Sequence, residues 1–317
     1  MKFFNRFSRF IFLSLGILLF VANLTAQNNA VPFIDSVQYK ILKVKPSVTN
    51  TSIQKWDTTH VVYYDPSIKS NKILLWLAGT NGTPLNIPIE LFKTALSQGY
   101  RVIALSYITI PAVSQVCVGD VLDNNINCAE LFRRKRIYGD GSFSLIKDQP
   151  QDAIIPRLVK LLQWLSKNDA QGNWSNYLNT DGSKPNWKNI AVSGQSQGGG
   201  MSEFIAQQES VARVVSFSGG WDYANSKEKK IANWYFNKSA TPKEKWFATY
   251  NINELAAKQL SEICTSLQIP SQQIFALDKP LLNSNTSTEN QNPYHGDGIR
   301  NIAYKPIWIK MLGSGLE

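Results

Sequence analysis

The chain has 317 residues and a formal net charge of +10, and hydrophobic residues make up 43% of it. So much apolar material can bury a large core, which excludes a disordered or low-complexity protein. The three cysteines are too few for a disulfide-built mini-scaffold, and no Cys-x-x-Cys spacing indicates a structural zinc site.

The N-terminus has the layout of a secretory signal peptide. Basic residues at the start precede an almost wholly apolar stretch at residues 11–24, and Ala26 offers a small residue at a cleavage point. The apolar core is short for a membrane span. We therefore predict a signal peptide over residues 1–26, a secreted or periplasmic location, and no stable membrane insertion after cleavage. An uncleaved N-terminal anchor is the alternative.

Strand-like and helix-like patterns alternate along residues 27–317. Strands are predicted at residues 59–64, 73–77, 101–107, 189–193, 212–217, 246–250 and 273–277. Helices are predicted at residues 88–98, 154–165, 199–208 and 302–312. Asp152 is a candidate N-cap of the second helix. Strands spaced by helices imply a mostly parallel sheet in a single α/β domain.

Two long stretches have no regular pattern, residues 108–150 and residues 219–245. In a parallel sheet such excursions leave from strand ends, over the ligand crevice. Both are candidates for substrate walls or a lid, and a structural surface loop is the alternative for each. The second stretch and its surroundings are rich in Trp and Tyr, which could stack on sugar or aromatic rings or pack in the core.

If the protein is exported, its cysteines meet an oxidising compartment in which disulfides form. Cys117 and Cys128 lie in a polar loop, and in an oxidising compartment we predict a disulfide that closes it. Cys264 lies in a helix-like run, so it is predicted to be a buried core residue. No motif supports a catalytic role for it.

A basic run occupies residues 133–136, with the sequence Arg-Arg-Lys-Arg. Such a run could attract an acidic glycan, nucleic acid or a lipid surface. It has no interleaved aromatic residues, so a solvated surface is the preferred interpretation. We expect no nucleic-acid partner.

The pattern Gly-x-Ser-x-Gly occupies residues 194–198, between a predicted strand and a predicted helix. A nucleophile on such a turn needs a strained backbone and small residues two positions to either side. The amide of the next residue, Gln197, and the helix N-terminus can then stabilise an oxyanion. Ser196 is therefore the predicted nucleophile. A glycine-rich turn without chemistry is the alternative.

A serine nucleophile needs a base, and the chain has two histidines. His60 lies in a predicted strand and is interpreted as structural. His295 lies in a turn-rich loop before the last helix, which suits a base that reaches across to the serine and completes the chain order Ser, acid, His. His295 is the predicted base. A single histidine beside Asp297 offers too few ligands for a metal, so no metal site is predicted.

The acid that orients the histidine is not marked by a sharp motif. Glu254 follows the predicted strand at residues 246–250 and is the preferred candidate. Asp222 follows the preceding strand and is the alternative acid. Each could instead cap a helix or carry a solvated charge.

A second oxyanion donor is expected after the strand at residues 73–77. The loop at residues 78–84 contains two glycines, which let a backbone amide approach closely. Thr80 is the predicted donor beside Gln197, with Asn81 as the second choice.

The GQSQGG run at residues 194–199, the AGT run at residues 78–80 and the late His295 resemble the α/β-hydrolase superfamily. The sequence is more similar still to bacterial exported hydrolases with a GHSQGG elbow, a GTxGxP oxyanion loop and a cysteine-containing excursion before the elbow. The resemblance covers most of residues 55–312. It implies an eight-stranded sheet and a Ser–acid–His triad that acts on esters without a cofactor.

Two residues depart from that pattern. Gln195 replaces the common histidine of the elbow, and Ala78 stands where many relatives have His or Pro. The leading hypothesis is an exported serine esterase acting on a small-molecule or polymer ester. The alternatives are a serine peptidase or amidase, a non-catalytic carbohydrate-binding protein on a hydrolase scaffold, and a protein that binds a surface through residues 133–136. The oligomeric state is left open.

Overall fold

The computed structural model describes residues 34, 36, 38–53, 55–282 and 292–316. The predicted signal peptide, residues 1–26, lies outside the described residues. Within the described ranges, no helix combines the length and the apolar character that crossing a membrane requires.

A single sheet of eight strands runs through the described residues. The strands are β1 (Lys40–Val44), β2 (His60–Tyr64), β3 (Ile73–Leu77), β4 (Arg101–Ala104), β5 (Ile190–Gln195), β6 (Arg213–Phe217), β7 (Trp246–Asn251) and β8 (Ile274–Leu277). Their spatial order is β1-β2-β4-β3-β5-β6-β7-β8. Strand β2 is antiparallel to β1 and β4, and the other neighbouring pairs are parallel. The predicted fold class, a mostly parallel eight-stranded sheet flanked by helices, is confirmed.

Helices connect the strands and cover both faces of the sheet. The α-helices are α1 (Pro46–Thr49), α2 (Ile89–Ser97), α3 (Val113–Val116), α4 (Gly119–Asp123), α5 (Cys128–Tyr138), α6 (Ile154–Asn168), α7 (Gln197–Gln208), α8 (Ala257–Ser266) and α9 (Lys305–Leu312). Short 3-10 helices occupy Pro150–Asp152, Ala170–Gly172, Trp174–Tyr177, Trp187–Asn189, Asn233–Phe236, Lys243–Lys245, Ser271–Gln273, Pro293–Ile299 and Ile302–Tyr304.

Five details differ from the sequence-based expectations. The strand predicted at residues 101–107 ends earlier, at Ala104. Strand β1 was not predicted, because it is an edge strand whose residues are mostly half-buried and include two lysines. The stretch at residues 108–150 is not irregular, since it contains α3, α4 and α5. Asp152 does not cap α6: Ala153 occupies the N-cap position, and Asp152 pairs with the buried Arg157 at 3.0 Å. The final helix is divided into a 3-10 turn and α9.

The core forms two layers, one on each face of the sheet. Alternate residues of β3 show the division, since Leu75 packs in one layer with Phe204 of α7 and Leu74 packs in the other with Leu91 of α2. Every residue of β2, β3 and β4 is buried. Burial of both faces explains why β3 is continuously apolar, the signal from which that strand was predicted.

The carboxyl ends of the parallel strands share one edge of the sheet. At that edge Ala78 follows β3, Ser196 follows β5, Ser218 follows β6 and Glu254 follows β7. Residues that lie far apart in the chain therefore meet there, as expected for ligand sites in sheets of this kind.

Candidate active site

Ser196 occupies a strained turn between β5 and α7. Its backbone has φ 56° and ψ −124°, a region that residues other than glycine rarely adopt. Its N–H donates to the Phe217 carbonyl at 3.0 Å. A Cβ on Gly198 would lie 2.0 Å from the Leu77 carbonyl oxygen, and one on Gly194 would lie 2.4 Å from the Gly198 carbonyl carbon. Both glycines are thus required for the close packing of this turn.

His295 is held by a buried carboxylate. Its Nδ1 lies 2.6 Å from Oε2 of Glu254, whose side chain is buried. The other carboxylate oxygen, Oε1, accepts hydrogen bonds from Ser218 Oγ at 2.8 Å and from the Asn251 N–H at 2.9 Å. Three partners thus fix the carboxylate, and the imidazole is oriented through Nδ1 with Nε2 on the opposite side of the ring.

Asp222, the alternative acid, has different partners. Its two oxygens accept from Nε and Nη2 of Arg133 at 2.6 and 2.7 Å, and Oδ2 also accepts from the Trp234 indole at 2.9 Å. Arg133 and Asp222 are both buried. The carboxylate that the structure brings to His295 is therefore that of Glu254, and Asp222 compensates a buried guanidinium.

Two contacts connect the His295 loop to the elbow, the turn at residues 194–198 that carries Ser196, and to the hollow beside it. Gln195 Nε2 donates to the His295 carbonyl at 3.0 Å, so the residue before Ser196 holds the backbone of the histidine. The Trp221 ring packs edge-on against the imidazole, with 5.2 Å between ring centroids. Trp221 and Ser196 also line the same hollow. Gln195, which departs from the common elbow histidine, therefore has a structural role here.

The two predicted oxyanion donors lie at that hollow. Thr80 and Gln197 line it together with Ser196. Gln197 is the first residue of α7, so its N–H has no acceptor within the helix. The Thr80 loop is pressed against the elbow, because a Cβ on Gly79 would lie 3.2 Å from the Ser196 Cβ. The arrangement can supply two backbone amides beside the serine hydroxyl.

The basic run at residues 133–136 is not a surface patch, which corrects the interpretation as a solvated surface. Arg133 and Arg136 are completely buried. Arg136 pairs with Asp148 and donates to the Ile108 carbonyl at 2.6 Å. The two arginines are three positions apart on α5, a spacing that places them on the same helix face. That spacing was a signal in the sequence that both side chains could be buried on one face of the helix. The charge of the run favoured the surface interpretation instead.

Sequence reasoning also missed three residues around the serine. Ser218 contacts the Glu254 carboxylate, Trp221 contacts the His295 ring, and Arg133 lines the hollow. A fourth, Glu203 of α7, is buried nearby; burial raises its pKa to about 7, against the opposing effects of the Ser216 hydrogen bond and of Arg133. The position of Ser218 directly after a parallel strand was a usable signal, and Trp221 lies in the Trp- and Tyr-rich stretch already considered for ring stacking. Nothing local marked Arg133 or Glu203 as part of the site.

The remaining predicted residues occupy structural positions. Cys117 and Cys128 form a disulfide between the end of α3 and the start of α5. Cys264 is buried in α8, where burial raises the pKa of its thiol. His60 is completely buried in β2, and its Nδ1 accepts the Ser106 N–H at 2.9 Å. Among the described residues, no group of three or more His, Cys, Asp or Glu side chains could hold a metal ion.

No family model matches the chain, and no curated protein matches it. Several solved structures are similar to the chain at low sequence identity. The Pyrococcus furiosus esterase Pf2001 is 12% identical with a TM-score of 0.45, covering 87% of this chain and 91% of that one. A bacterial heroin esterase is 12% identical with a TM-score of 0.47, covering 90% and 87%. MGS-M1, an α/β hydrolase from a deep-sea metagenome of the Medee basin, is 15% identical with a TM-score of 0.42, covering 87% and 98%.

Proposed function

We propose that the protein is an exported serine hydrolase of carboxylic esters, with Ser196 as nucleophile, His295 as base and Glu254 as the orienting acid. One observation carries the proposal: the Glu254–His295 pair, joined at 2.6 Å, is tied to the residue before a serine in a strained strand-to-helix turn. That combination of nucleophile, base and acid is the arrangement that activates a serine hydroxyl.

The chemistry proceeds in two stages. His295 Nε2 accepts the proton of Ser196 Oγ as the oxygen attacks the carbonyl carbon of the ester, and the backbone amides of Gln197 and Thr80 hold the oxyanion. The intermediate collapses, the alcohol leaves with the proton from His295, and an acyl-serine remains. Water then loses a proton to His295 as it attacks the acyl carbon, and the carboxylic acid is released as Ser196 recovers its proton.

The role of Glu254 follows from its contacts. A carboxylate 2.6 Å from Nδ1 accepts a hydrogen bond from the Nδ1–H tautomer, which leaves a lone pair on Nε2 for the serine proton. The same carboxylate stabilises the imidazolium that forms after proton transfer. Ser218 and Asn251 keep the carboxylate in place, so they act as positioning residues.

The choice of esters over amides rests on the resemblance of the elbow and of the Thr80 loop to exported esterases. The inference that the protein is exported rests on the N-terminal pattern. The Cys117–Cys128 disulfide supports this inference because such bonds persist in oxidising compartments. N-terminal sequencing of the protein recovered from its host tests this part, with a mature terminus directly after Ala26 as the expected result.

Fluorophosphonate labelling with peptide mass mapping tests the nucleophile. We expect covalent labelling at Ser196 in the wild type and none in Ser196→Ala or His295→Ala. Ser114→Ala is the matched control, because Ser114 is a second serine that lines the same hollow, and it should label normally. A folded wild-type protein that takes no label contradicts the proposal. Labelling with amide turnover but no ester turnover would reassign the substrate class.

A further inference from the structure

A second, larger cavity opens beside the serine hollow. It has a volume of about 310 Å³, and four residues line both spaces: Val113, Ser114, Trp221 and Asp222. Because the two spaces share these walls, the cavity adjoins the hollow that Ser196 lines. A substrate whose ester group lies at Ser196 therefore has this cavity beside it.

The cavity lies between the two excursions that leave the carboxyl edge of the sheet. Ser226 of the second excursion donates to the first at two points, from N–H to Asp123 Oδ1 at 2.7 Å and from Oγ to the Gly119 carbonyl at 3.0 Å. The buried Arg133–Asp222 pair joins the same two excursions. Exposed and buried contacts thus both hold the two walls together, so the cavity is a feature of the fold.

The lining of the cavity is mostly apolar, and its polar side chains are Ser114, Asp222, Ser226 and Lys229. The apolar side chains are Val113, Cys117, Val118, Leu122, Trp221 and Tyr223. Asp222 lines it too, but both of its oxygens are occupied by Arg133. Lys229 is exposed and has no ion pair among the residues that the structure describes. An apolar group therefore fits inside, and the free charge near it is positive.

The volume sets the size of that group. An apolar cavity of roughly 150 Å³ takes up one benzene ring, and this one is about twice as large. A fused two-ring aromatic group fills the space, while a methyl or ethyl group leaves most of it empty. When such a group binds, apolar surface of both the ligand and the pocket is removed from water. This burial is the main source of affinity in such pockets.

We propose that this cavity is the substrate-specificity pocket of the enzyme, and that it selects esters carrying an apolar group the size of two fused aromatic rings, with a carboxylate at the far end favoured by Lys229. The proposal rests on the proposed function, since it assigns the substrate of the same serine. The apolar group can belong to the acyl part or to the alcohol part of the ester, and the experiment below distinguishes them.

The test compares three esters in two tryptophan variants of the mature protein. The esters are 2-naphthyl acetate, ethyl 2-naphthoate and ethyl acetate, with product acid followed by titration. Val118→Trp places an indole in the cavity from a position that is half-exposed and extended in backbone conformation, so it can fold. Val121→Trp is the matched control, since Val121 is also exposed and lies on α4 but does not line the cavity.

We expect Val118→Trp to lower kcat/KM for one naphthyl ester at least about tenfold while ethyl acetate changes less than about twofold. Val121→Trp should leave all three values near those of the wild type. The ester that responds identifies the acyl or the alcohol side. Equal effects of Val118→Trp on all three esters, or no effect on either naphthyl ester, would overturn the proposal.

Two further readouts separate this proposal from the proposed function. Fluorophosphonate labelling of Ser196 in both variants shows that the catalytic residues still work, so a lost naphthyl preference with intact labelling concerns the pocket alone. In the wild type, 2-naphthoate or 2-naphthol should compete with ethyl acetate, which needs no variant to fold. If neither compound competes, the pocket does not bind the group we assign to it.

Discussion

The two histidines of the chain lie in regions that use the same side chain in opposite ways. His60 is completely buried in the antiparallel part of the sheet, and its Nδ1 accepts the Ser106 N–H. Because Nδ1 of His60 accepts this hydrogen bond, the proton of the neutral ring lies on Nε2. His295 is partly exposed at the carboxyl edge of the sheet, and its Nδ1 faces the Glu254 carboxylate. In the proposed mechanism the carboxylate accepts a hydrogen bond from Nδ1–H, so the lone pair of the neutral ring lies on Nε2, the proposed base.

The partner of Nδ1, together with solvent access, decides whether a histidine can exchange protons with a substrate. Burial, together with the charge of Arg157, lowers the pKa of His60 to about 3. Such a ring stays neutral and does not exchange protons in the physiological range. His295 instead has the Glu254 carboxylate 2.6 Å from its Nδ1 and a partly exposed side chain, which suits the role of base that we propose for it. Four predictions follow from this comparison, from the largest effect to the smallest.

The largest effect is expected when each histidine is replaced in turn. His295→Ala should lower kcat/KM for an ester about a thousandfold or more, because the base is lost. His60→Asn should leave kcat/KM within about threefold, since the amide oxygen can still accept the Ser106 N–H. Steady-state kinetics on ethyl acetate measures both. A large loss in folded His60→Asn with little loss in His295→Ala would reverse the assignment.

The next effect concerns the two acids considered for the triad. Glu254→Gln should lower kcat/KM by about a hundredfold to ten-thousandfold, because an amide N–H opposite Nδ1 favours the tautomer seen at His60 and removes the Nε2 lone pair. Asp222→Asn should instead cost about 3–5 kcal/mol of unfolding free energy, because it leaves Arg133 buried without its counter-charge.

Urea unfolding and ester kinetics, run side by side, separate these two outcomes. Glu130→Gln serves as the control for stability, because Glu130 pairs with Arg134 at 3.1 Å on a partly exposed helix face, where such pairs contribute about 1 kcal/mol or less. If Asp222→Asn stays folded and still loses as much activity as Glu254→Gln, then Asp222 has a catalytic role.

A smaller effect is expected in the pH dependence of stability. The pKa of His60 is lower in the folded protein, about 3, than the ordinary value of 6.5. Below pH 6.5 the unfolded chain therefore binds a proton that the folded protein does not, so stability is full above pH 6.5 and falls as the pH drops towards 3. The slope from this one group is about 1.4 kcal/mol per pH unit.

His60→Asn isolates that contribution, because asparagine does not titrate. Unfolding free energies between pH 4 and pH 7.5 should fall less steeply in the variant than in the wild type, by about one proton. Parallel curves for the two proteins would show that His60 titrates equally in both states, against the burial seen in the structure.

The smallest effect is expected at Lys229, which lines the cavity that adjoins the serine hollow. Lys229→Gln should lower kcat/KM for 6-acetoxy-2-naphthoic acid by about threefold at low salt and leave 2-naphthyl acetate unchanged, because the charge is exposed and screened. Lys227→Gln is the matched control, an exposed lysine of the same segment that does not line the cavity. A loss for the neutral ester as well would mean that the variant changes the shape of the cavity.

The sequence was informative wherever structure depends on neighbouring residues. The strands β3 and β5 were predicted from continuous apolar runs, and the turn at Ser196 from glycines two positions to either side. These patterns are local, because burial of both faces of a strand and the close packing of a turn act on consecutive residues. The Cys117–Cys128 disulfide belongs to the same class, since it closes a short loop.

The sequence was uninformative or misleading where partners are distant. Nothing near Arg133 indicates that Asp222, 89 residues away, will neutralise it, so its charge suggested a surface. Glu254 and Asp222 were both plausible acids for the same reason: each follows a strand at the same edge. Which carboxylate faces His295 depends on how the chain folds after each strand.

Periodicity and glycine spacing are properties of consecutive residues, so they were enough to predict an α/β sheet with a serine on a strand-to-helix turn. Three features could be seen only in the folded protein. Glu254 contacts His295, half of the basic run is buried, and two excursions enclose a mostly apolar cavity beside the hollow that Ser196 lines. Those outcomes depend on free energies of burial and of charge pairing, which act between residues that become neighbours only when the chain has folded.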